Sequence, residues 1–235
     1  MVSVPTGKHF TRDRLQTHLS ALGVTAAANP FGQLTLVYGS PSRHYHNAQH
    51  IEACLGLLAQ HRAIAPHPHE IAIALWFHDA IYDPRRVDNE QASANWAGEF
   101  LGSQGVAQPV IERIINLILA TQTHHLSTQD AQLMIDIDLA ILGSDRPTYE
   151  TYAQAIRREY SWLPATKYRA GRAQFLQTFL ARPTLFHTTP FQERYERQAR
   201  ENMTRELKGL TDPPKDDPRG DRDTSDSPST ASPAF

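Results

Sequence analysis

Residues 71–77 form an unbroken apolar run, and no other feature of the sequence constrains the fold as strongly. Pro68 precedes this run at a position that suits the first turn of a helix. A helix that is apolar on all sides is normally buried among other helices. We therefore predict a helix from Pro68 to about residue 81 at the centre of a helical bundle.

The rest of the chain is also predicted to be helical, because apolar residues recur at the helical period and Pro, Gly and capping residues separate the segments. Residues 34–38 are the only strand candidate, and this segment is short. The sequence therefore predicts an all-α bundle. Besides the central helix, the predicted helices cover about residues 11–22, 45–61, 88–101, 109–121, 127–142, 147–156, 168–180 and 189–207.

The composition changes near the end of the chain. From about residue 211 onward the sequence is rich in Pro, Asp and Ser and has almost no apolar residues. Such a segment cannot bury enough apolar surface to fold. We predict a single helical domain over residues 1–210 and a disordered tail over residues 211–235.

The charges are nearly balanced, with 23 Lys and Arg against 25 Asp and Glu and a net charge of −2. This balance creates no strong field, so neither a stable nucleic-acid complex nor a membrane is expected as a partner. The one cysteine, Cys54, excludes an intramolecular disulfide and fits a reducing compartment. No signal-peptide pattern and no apolar run of ~20 residues is present. The expected location is the cytoplasm.

Three short segments combine histidines with aspartates and are predicted to meet in the core. His50 closes the segment 43–50, His78 and Asp79 follow the apolar run directly, and Asp136 and Asp138 lie in a second apolar helix. Each segment taken alone also fits a structural hydrogen bond or salt bridge. Together they favour a site for one divalent transition ion, Mn²⁺, Fe²⁺, Co²⁺, Ni²⁺ or Zn²⁺, which imidazole and carboxylate ligands suit.

Asp136 and Asp138 compete for one position in this site. Residues two apart on a helix point to nearly opposite faces, so only one of the two should reach the metal. The other is expected to cap a helix or to pair with an arginine. The local pattern leaves the choice between them open.

The spacing resembles the H…HD…D signature of the HD-domain superfamily of metal-dependent phosphohydrolases, with His50, His78, Asp79 and Asp138 in the signature positions. The resemblance implies an HD-domain helical bundle, one or two metal ions and hydrolysis of phosphate esters such as nucleotides. It also favours Asp138, because other members place this ligand just before an apolar turn. The similarity to one bacterial subfamily of predicted HD phosphohydrolases spans about residues 8–210 and is carried by residues 43–50, 75–83, 89–94, 120–124, 136–143, 152–160 and 194–207.

Two carboxylates near the His-Asp pair are candidates for the general acid or base. Asp83 follows the pair by four residues, and Glu90 lies at the start of the next predicted helix. A carboxylate beside a metal-bound water can accept its proton or protonate the leaving oxygen. The alternative is that Asp83 ends one helix and Glu90 sits at a favourable helix N-terminus.

Four further polar residues are candidates for binding the substrate. His46 precedes His50 by four residues and therefore shares its helix face. His124 could instead bind a second metal ion or belong to a polar loop. The candidates are Arg43, His46, Asn47 and His124.

A basic run near aromatic residues could bind phosphate and stack on a base. A charge run of this kind is more typical of a solvated helix surface, which is the interpretation we favour. The run consists of Arg157, Arg158, Lys167, Arg169 and Arg172.

The predicted function is metal-dependent hydrolysis of a phosphate ester, namely a nucleotide or another small phosphorylated metabolite. The expected partner is that substrate, and a homodimer is compatible with the sequence. One alternative is a catalytically silent HD module that senses a metal ion or nucleotide. Two others are a structural helical protein with buried His–Asp pairs and oxygen chemistry at a di-iron centre.

Overall fold

In a computed structural model, which describes residues 7–123 and 128–212, every regular element is helical. No strand or sheet occurs in this described part, which confirms the predicted all-α fold. None of its helices is long and apolar enough to cross a membrane. The longer helices are α1 (Arg12–Ala21), α2 (Phe31–Tyr38), α3 (Ala48–Gln60), α4 (Pro68–Phe77), α5 (Asn89–Ser103), α6 (Gln108–Thr123), α7 (Gln129–Leu139), α8 (Arg146–Glu159) and α9 (Ala165–Leu180).

The last helix is interrupted near its start. It begins as a single turn, α10 (Thr189–Phe191), passes through a π-helical turn, Gln192–Glu196, and continues as α11 (Arg197–Thr211). The chain is described as far as residue 212, so most of the predicted tail lies outside the described residues.

Helix α4 lies at the centre of the bundle, as predicted. Pro68 is its first residue, and residues 71–77 have no exposed surface. The helix packs against α1, α3, α5, α6 and α7. It ends at Phe77, so that the His78-Asp79 pair follows directly at its carboxyl end.

Residues 34–38, the one strand candidate that the sequence offered, belong to α2, in agreement with the predicted all-α fold. In a strand, residues 34, 36 and 38 would share one face. Leu34 and Tyr38 are buried, one helical turn apart, whereas Leu36 is 73% exposed. The burial pattern therefore follows the helical period.

Arg172 also departs from expectation, because it is fully buried rather than part of a solvated surface. Its Nε and Nη2 atoms donate to the two carboxylate oxygens of Glu206 at 2.9 and 3.1 Å. The phenol of Tyr152 lies 3.3 Å from Nη1. This ion pair joins α9 to α11. Because Glu206 is 34 residues from Arg172 in the sequence, the local charge pattern could not predict the pairing.

The chain after α7 forms a 3₁₀ turn, Ala140–Gly143, that is held by the last helix. Asn202 Nδ2 donates to the backbone carbonyls of Leu142 at 3.0 Å and of Ser144 at 2.8 Å. A side chain at Gly143 would meet the backbone of Tyr195 at 2.6 Å, so only glycine allows this approach.

Candidate metal centre

His50 is placed by the first turn of α3. Asn47 caps this helix, because its Oδ1 accepts a hydrogen bond from the Gln49 N–H at 2.9 Å. The His50 ring is buried and packs on Tyr45, with 4.8 Å between the ring centroids. The amide of Asn47 also donates to the His44 carbonyl at 3.1 Å. Both ends of the Asn47 amide therefore bond to the backbone, and its predicted substrate contact stays a prediction.

His78 and Asp79 are placed by the carboxyl end of α4. The Nδ1 of His78 lies 3.0 Å from the Leu75 carbonyl. A carbonyl can only accept, so Nδ1 carries the proton and the Nε2 lone pair is left for another partner.

Arg43 holds the turn that carries His78 and Asp79. Its guanidinium donates to the backbone carbonyls of Asp79 at 2.5 Å and Ala80 at 2.9 Å. Arg43 is buried and donates a third bond, to the His46 carbonyl at 3.2 Å. These bonds give Arg43 a positioning role, whereas the sequence predicted a substrate contact.

Asp136 and Asp138, both on α7, have different surroundings. The Asp136 carboxylate is fully buried and accepts hydrogen bonds from His187 N–H at 2.8 Å, Thr188 N–H at 2.7 Å and the Thr188 hydroxyl at 2.6 Å. It therefore holds the start of the last helix. Asp138 Oδ1 lies 3.1 Å from His50 Nε2 and 3.4 Å from His78 Nε2.

Four side chains thus converge, and we call His50, His78, Asp79 and Asp138 the His–Asp cluster. The two Nε2 atoms are 3.2 Å apart. Asp79 Oδ2 lies 3.0 Å from His78 Nε2 and 3.5 Å from His50 Nε2. Ligands bound to one ion at about 2.0–2.2 Å lie roughly 2.9–3.5 Å from each other, so these separations suit a shared metal ion. Among the described residues, His50, His78 and Asp138 form the group whose ligand atoms all lie close enough to share one ion. Asp79 is near both imidazoles but is not part of this three-residue group.

Asp79 Oδ2 gives independent support for this fit. The atom is buried and has no hydrogen-bond partner of acceptable geometry among the described residues. A buried carboxylate oxygen without a donor is costly. A cation between Asp79 and the two imidazoles would satisfy it.

The pKa shifts within the cluster also favour a bound cation. Burial alone would lower the pKa of His78, but the Asp79 and Asp138 carboxylates raise it well above its usual value. Burial alone would raise the pKa of both aspartates, but the imidazoles and their hydrogen bonds lower it. Without a metal the cluster therefore retains a proton on imidazole. A bound divalent ion would balance the charges of the two carboxylates while both histidines stay neutral.

A cavity of about 120 Å³ opens onto the cluster and is lined by His46, His78, Asp79, Glu90 and Asp138 among others. Burial and the nearby Asp79 carboxylate raise the pKa of Glu90, although backbone hydrogen bonding and His78 partly counteract them. Asp83 does not line the cavity. It is exposed, and its carboxylate accepts the Arg85 N–H at 2.9 Å. Of the two predicted acid–base candidates, the structure therefore brings Glu90 alone to the cavity.

A larger groove of about 700 Å³ also reaches the cluster, since His50 and Asp138 line it. Residues 124–127 are not described, so the predicted role of His124 lies outside the described residues. The cavity and the groove share a wall formed by Tyr45, Asp138, Ile141 and Tyr152.

His46 lines the cavity and is held by Glu159, a residue that the sequence analysis missed. His46 Nδ1 lies 2.7 Å from Glu159 Oε2, and the His46 ring stacks on Tyr82 at 4.2 Å. Glu159 Oε1 also accepts the backbone N–H groups of His44, Tyr45 and His46 at 2.7–3.0 Å. Glu159 ends α8, 113 residues after His46, and no local pattern could have linked them.

Replacing Glu159 with glutamine is expected to destabilise the protein by roughly 2–3 kcal/mol at pH 7. Burial alone would raise the pKa of Glu159, but hydrogen bonds from His46 and the backbone lower it from 4.5 to about 2. A lowered carboxyl pKa contributes stability above about pH 4.5, and this contribution is lost as the pH falls towards 2. Urea unfolding of both proteins at several pH values between 7 and 3 measures the difference.

The matched control is Glu150→Gln on the same helix, where an exposed pair with Arg146 should contribute less than about 0.5 kcal/mol. A difference between wild type and Glu159→Gln that stays constant from pH 7 to 3 would contradict the assigned role of the Glu159 charge.

Comparisons with known proteins gave no matching family, no matching curated protein and no matching solved structure. The interpretation of this centre therefore depends on its own residues and geometry.

Proposed function

We propose that this protein is a metal-dependent phosphohydrolase of the HD type that cleaves a small phosphate ester. The observation that carries the proposal is the His–Asp cluster at the end of a cavity, in which two imidazole nitrogens lie 3.2 Å apart and each lies 3.0–3.5 Å from a carboxylate oxygen of Asp79 and of Asp138. Buried ionisable groups with shifted pKa values beside a cavity are typical of catalytic sites.

The metal would be held by His50, His78, Asp79 and Asp138. Nitrogen and oxygen ligands suit Mn²⁺, Fe²⁺, Co²⁺, Ni²⁺ or Zn²⁺. A bound divalent ion would supply a nucleophilic water at neutral pH and neutralise charge on a phosphoryl oxygen.

Glu90 is the general acid of the proposed reaction. Breaking the ester bond requires a proton on the leaving oxygen. Glu90 lines the cavity, and its raised pKa favours the protonated form that can donate. After the alcohol leaves, Glu90 regains its proton from solvent.

His46 is proposed to bind a phosphoryl oxygen. Its Nδ1 is bonded to Glu159, and no described residue bonds its Nε2. Burial alone would lower the pKa of His46, but the carboxylates of Asp79 and Glu159 raise it. The ring is therefore suited to donate to an anion, and Glu159 fixes its orientation.

The lining of the site favours a phosphate monoester over a triphosphate. Within residues 7–123 and 128–212, neither the cavity nor the groove is lined by Lys or Arg. A triphosphate carries several charges that would then lack cationic partners, whereas one phosphoryl group can be met by the metal and His46. The apolar part of the cavity would receive a small alcohol, and it consists of Leu139, Ile141, Leu142, Ile156, Phe175 and Phe179.

Glu90→Gln is expected to lower kcat on an alkyl phosphate by about 10²-fold while leaving the metal content unchanged. Activity on p-nitrophenyl phosphate should fall much less, because that leaving group needs no proton. Glu99→Gln, an exposed change on the same helix α5, is the control and should have no effect. Equal losses on both substrates would contradict the general-acid role.

The proposal as a whole is tested by a phosphate-release screen of the purified protein with each divalent metal. The substrates are phosphomonoesters, nucleoside mono-, di- and triphosphates and cyclic dinucleotides. We expect metal-dependent release, fastest from a monoester and abolished in His50→Ala. Tight nucleotide binding without release would instead identify a silent sensor module.

A further inference from the structure

A second cavity lies at the opposite end of α4 from the His–Asp cluster. It has a volume of about 230 Å³ and contains Pro68, the first residue of α4, in its wall. Helix α1 contributes Arg14 and His18, and Arg62 follows the end of α3. None of the four cluster residues lines it. We call this space the α1–α3 cavity.

The α1–α3 cavity has positive groups without negative partners. Arg14 and Arg62 are exposed, and within the described ranges neither forms an ion pair with a carboxylate. No Asp or Glu of the described part of the chain lines the cavity. Glu52 on α3 is bonded to the backbone N–H groups of Lys8, His9 and Phe10. The cavity is therefore surrounded by a surplus of positive charge.

A chain of hydrogen bonds fixes the proton positions on two histidines here. Arg62 Nη2 lies 2.8 Å from His69 Nε2, and a guanidinium can only donate. The proton of neutral His69 is therefore on Nδ1, which lies 3.2 Å from His18 Nδ1. His18 accepts at Nδ1, so its own proton is on Nε2. His18 Nε2 is therefore an N–H donor, and the His18 ring lines the cavity.

The lowered pKa of His18 agrees with this surplus of positive charge. Burial, together with the neighbouring His69, Arg62 and Arg14, lowers the pKa of His18 to about 4. Two of the three neighbours that lower this pKa, Arg62 and Arg14, are cationic. An anion bound among these residues would relieve their repulsion.

The size and lining of the cavity define the ligand. Its volume is below the roughly 300–1,000 Å³ of sites for drug-sized molecules, so it suits a small group. Two guanidiniums and an imidazole N–H can pair with the two charges and several oxygens of a phosphoryl dianion. A ligand with a single carboxylate would leave some of these donors without a partner. Leu55, Leu58 and Ala59 give the cavity an apolar side.

We propose that the α1–α3 cavity is a binding site for a phosphoryl group, held by Arg14, Arg62 and His18 and separate from the His–Asp cluster. The site does not depend on the proposed hydrolase activity. Its ligand is free phosphate, pyrophosphate or the phosphoryl group of a small organic phosphate.

Calorimetric titration with phosphate and with pyrophosphate tests the site, with a chelator present so that no metal contributes. We expect binding to weaken by about tenfold or more in Arg14→Gln/Arg62→Gln. The control Arg12→Gln/Arg158→Gln removes the same charge at exposed positions that do not line the cavity, and it should bind like wild type. Equal weakening in both double variants would indicate nonspecific attraction and overturn the proposal.

Histidine NMR of the unmodified protein gives a second readout that does not depend on variant stability. Phosphate should shift the imidazole signals of His18 and His69, and acetate at the same concentration should not. Absence of binding to wild type, or an equal response to acetate, would overturn the phosphoryl assignment.

Discussion

Asp79→Asn is expected to remove the bound metal and to lower kcat/KM for phosphate release by about 10³-fold or more, equivalent to roughly 4 kcal/mol. The change keeps the shape of the side chain but replaces an anionic ligand with a neutral amide. Asp79 Oδ2 is a buried oxygen with no hydrogen-bond partner among the described residues, and it lies within 3.5 Å of both imidazole nitrogens. Elemental analysis of the purified proteins and a phosphate-release assay measure both effects.

The control for this change is Asp83→Asn, four residues further along the chain. Asp83 is exposed and its carboxylate accepts the Arg85 N–H within its own turn, so metal content and rate should stay within about twofold of wild type. A full complement of metal and normal activity in Asp79→Asn would remove the basis of the hydrolase proposal.

Asp136→Ala is expected to destabilise the fold by about 3–5 kcal/mol. The change leaves three donors without an acceptor, the N–H groups of His187 and Thr188 and the Thr188 hydroxyl. Burial raises the pKa of Asp136 even though these donors counteract it. The loss therefore comes mainly from the buried donors left unpaired. Denaturant unfolding at pH 7 measures it.

Thr188→Val gives a graded comparison, because it removes only the hydroxyl donor and should cost about 1 kcal/mol. The folded fraction of Asp136→Ala should still bind metal, since Asp136 is not in the cluster. A stability within 1 kcal/mol of wild type would show that the carboxylate does not hold the start of the last helix.

The sequence predicted the parts of the fold and site that depend on strong local patterns. The apolar run at residues 71–77 predicted the central helix. The helix ends at Phe77, about four residues before the predicted end, so His78 and Asp79 follow it instead of lying within it. The two-residue spacing of Asp136 and Asp138 correctly implied that only one would reach the other candidates.

Errors arose where a partner is distant in sequence or a segment is short. Helix α2 was missing from the predicted helices, because residues 34–38 are too few for periodicity to separate a helix from a strand. Arg172 is buried because Glu206 on another helix neutralises it, and Glu159 meets His46 across 113 residues. Asp83 and Glu90 looked equivalent in sequence, but the turn between them directs only Glu90 to the cavity.

The contacts of the last helix determine how far the protein can be shortened. All four cluster residues precede residue 139, so a fragment ending near residue 188 would contain every proposed ligand. Such a fragment would lack the Asn202 amide that holds the carbonyls of Leu142 and Ser144, and Gly143 would lose Tyr195 as its neighbour. The turn directly after Asp138 would then be unsupported. The smallest fragment suitable for metal binding must therefore extend beyond Asn202.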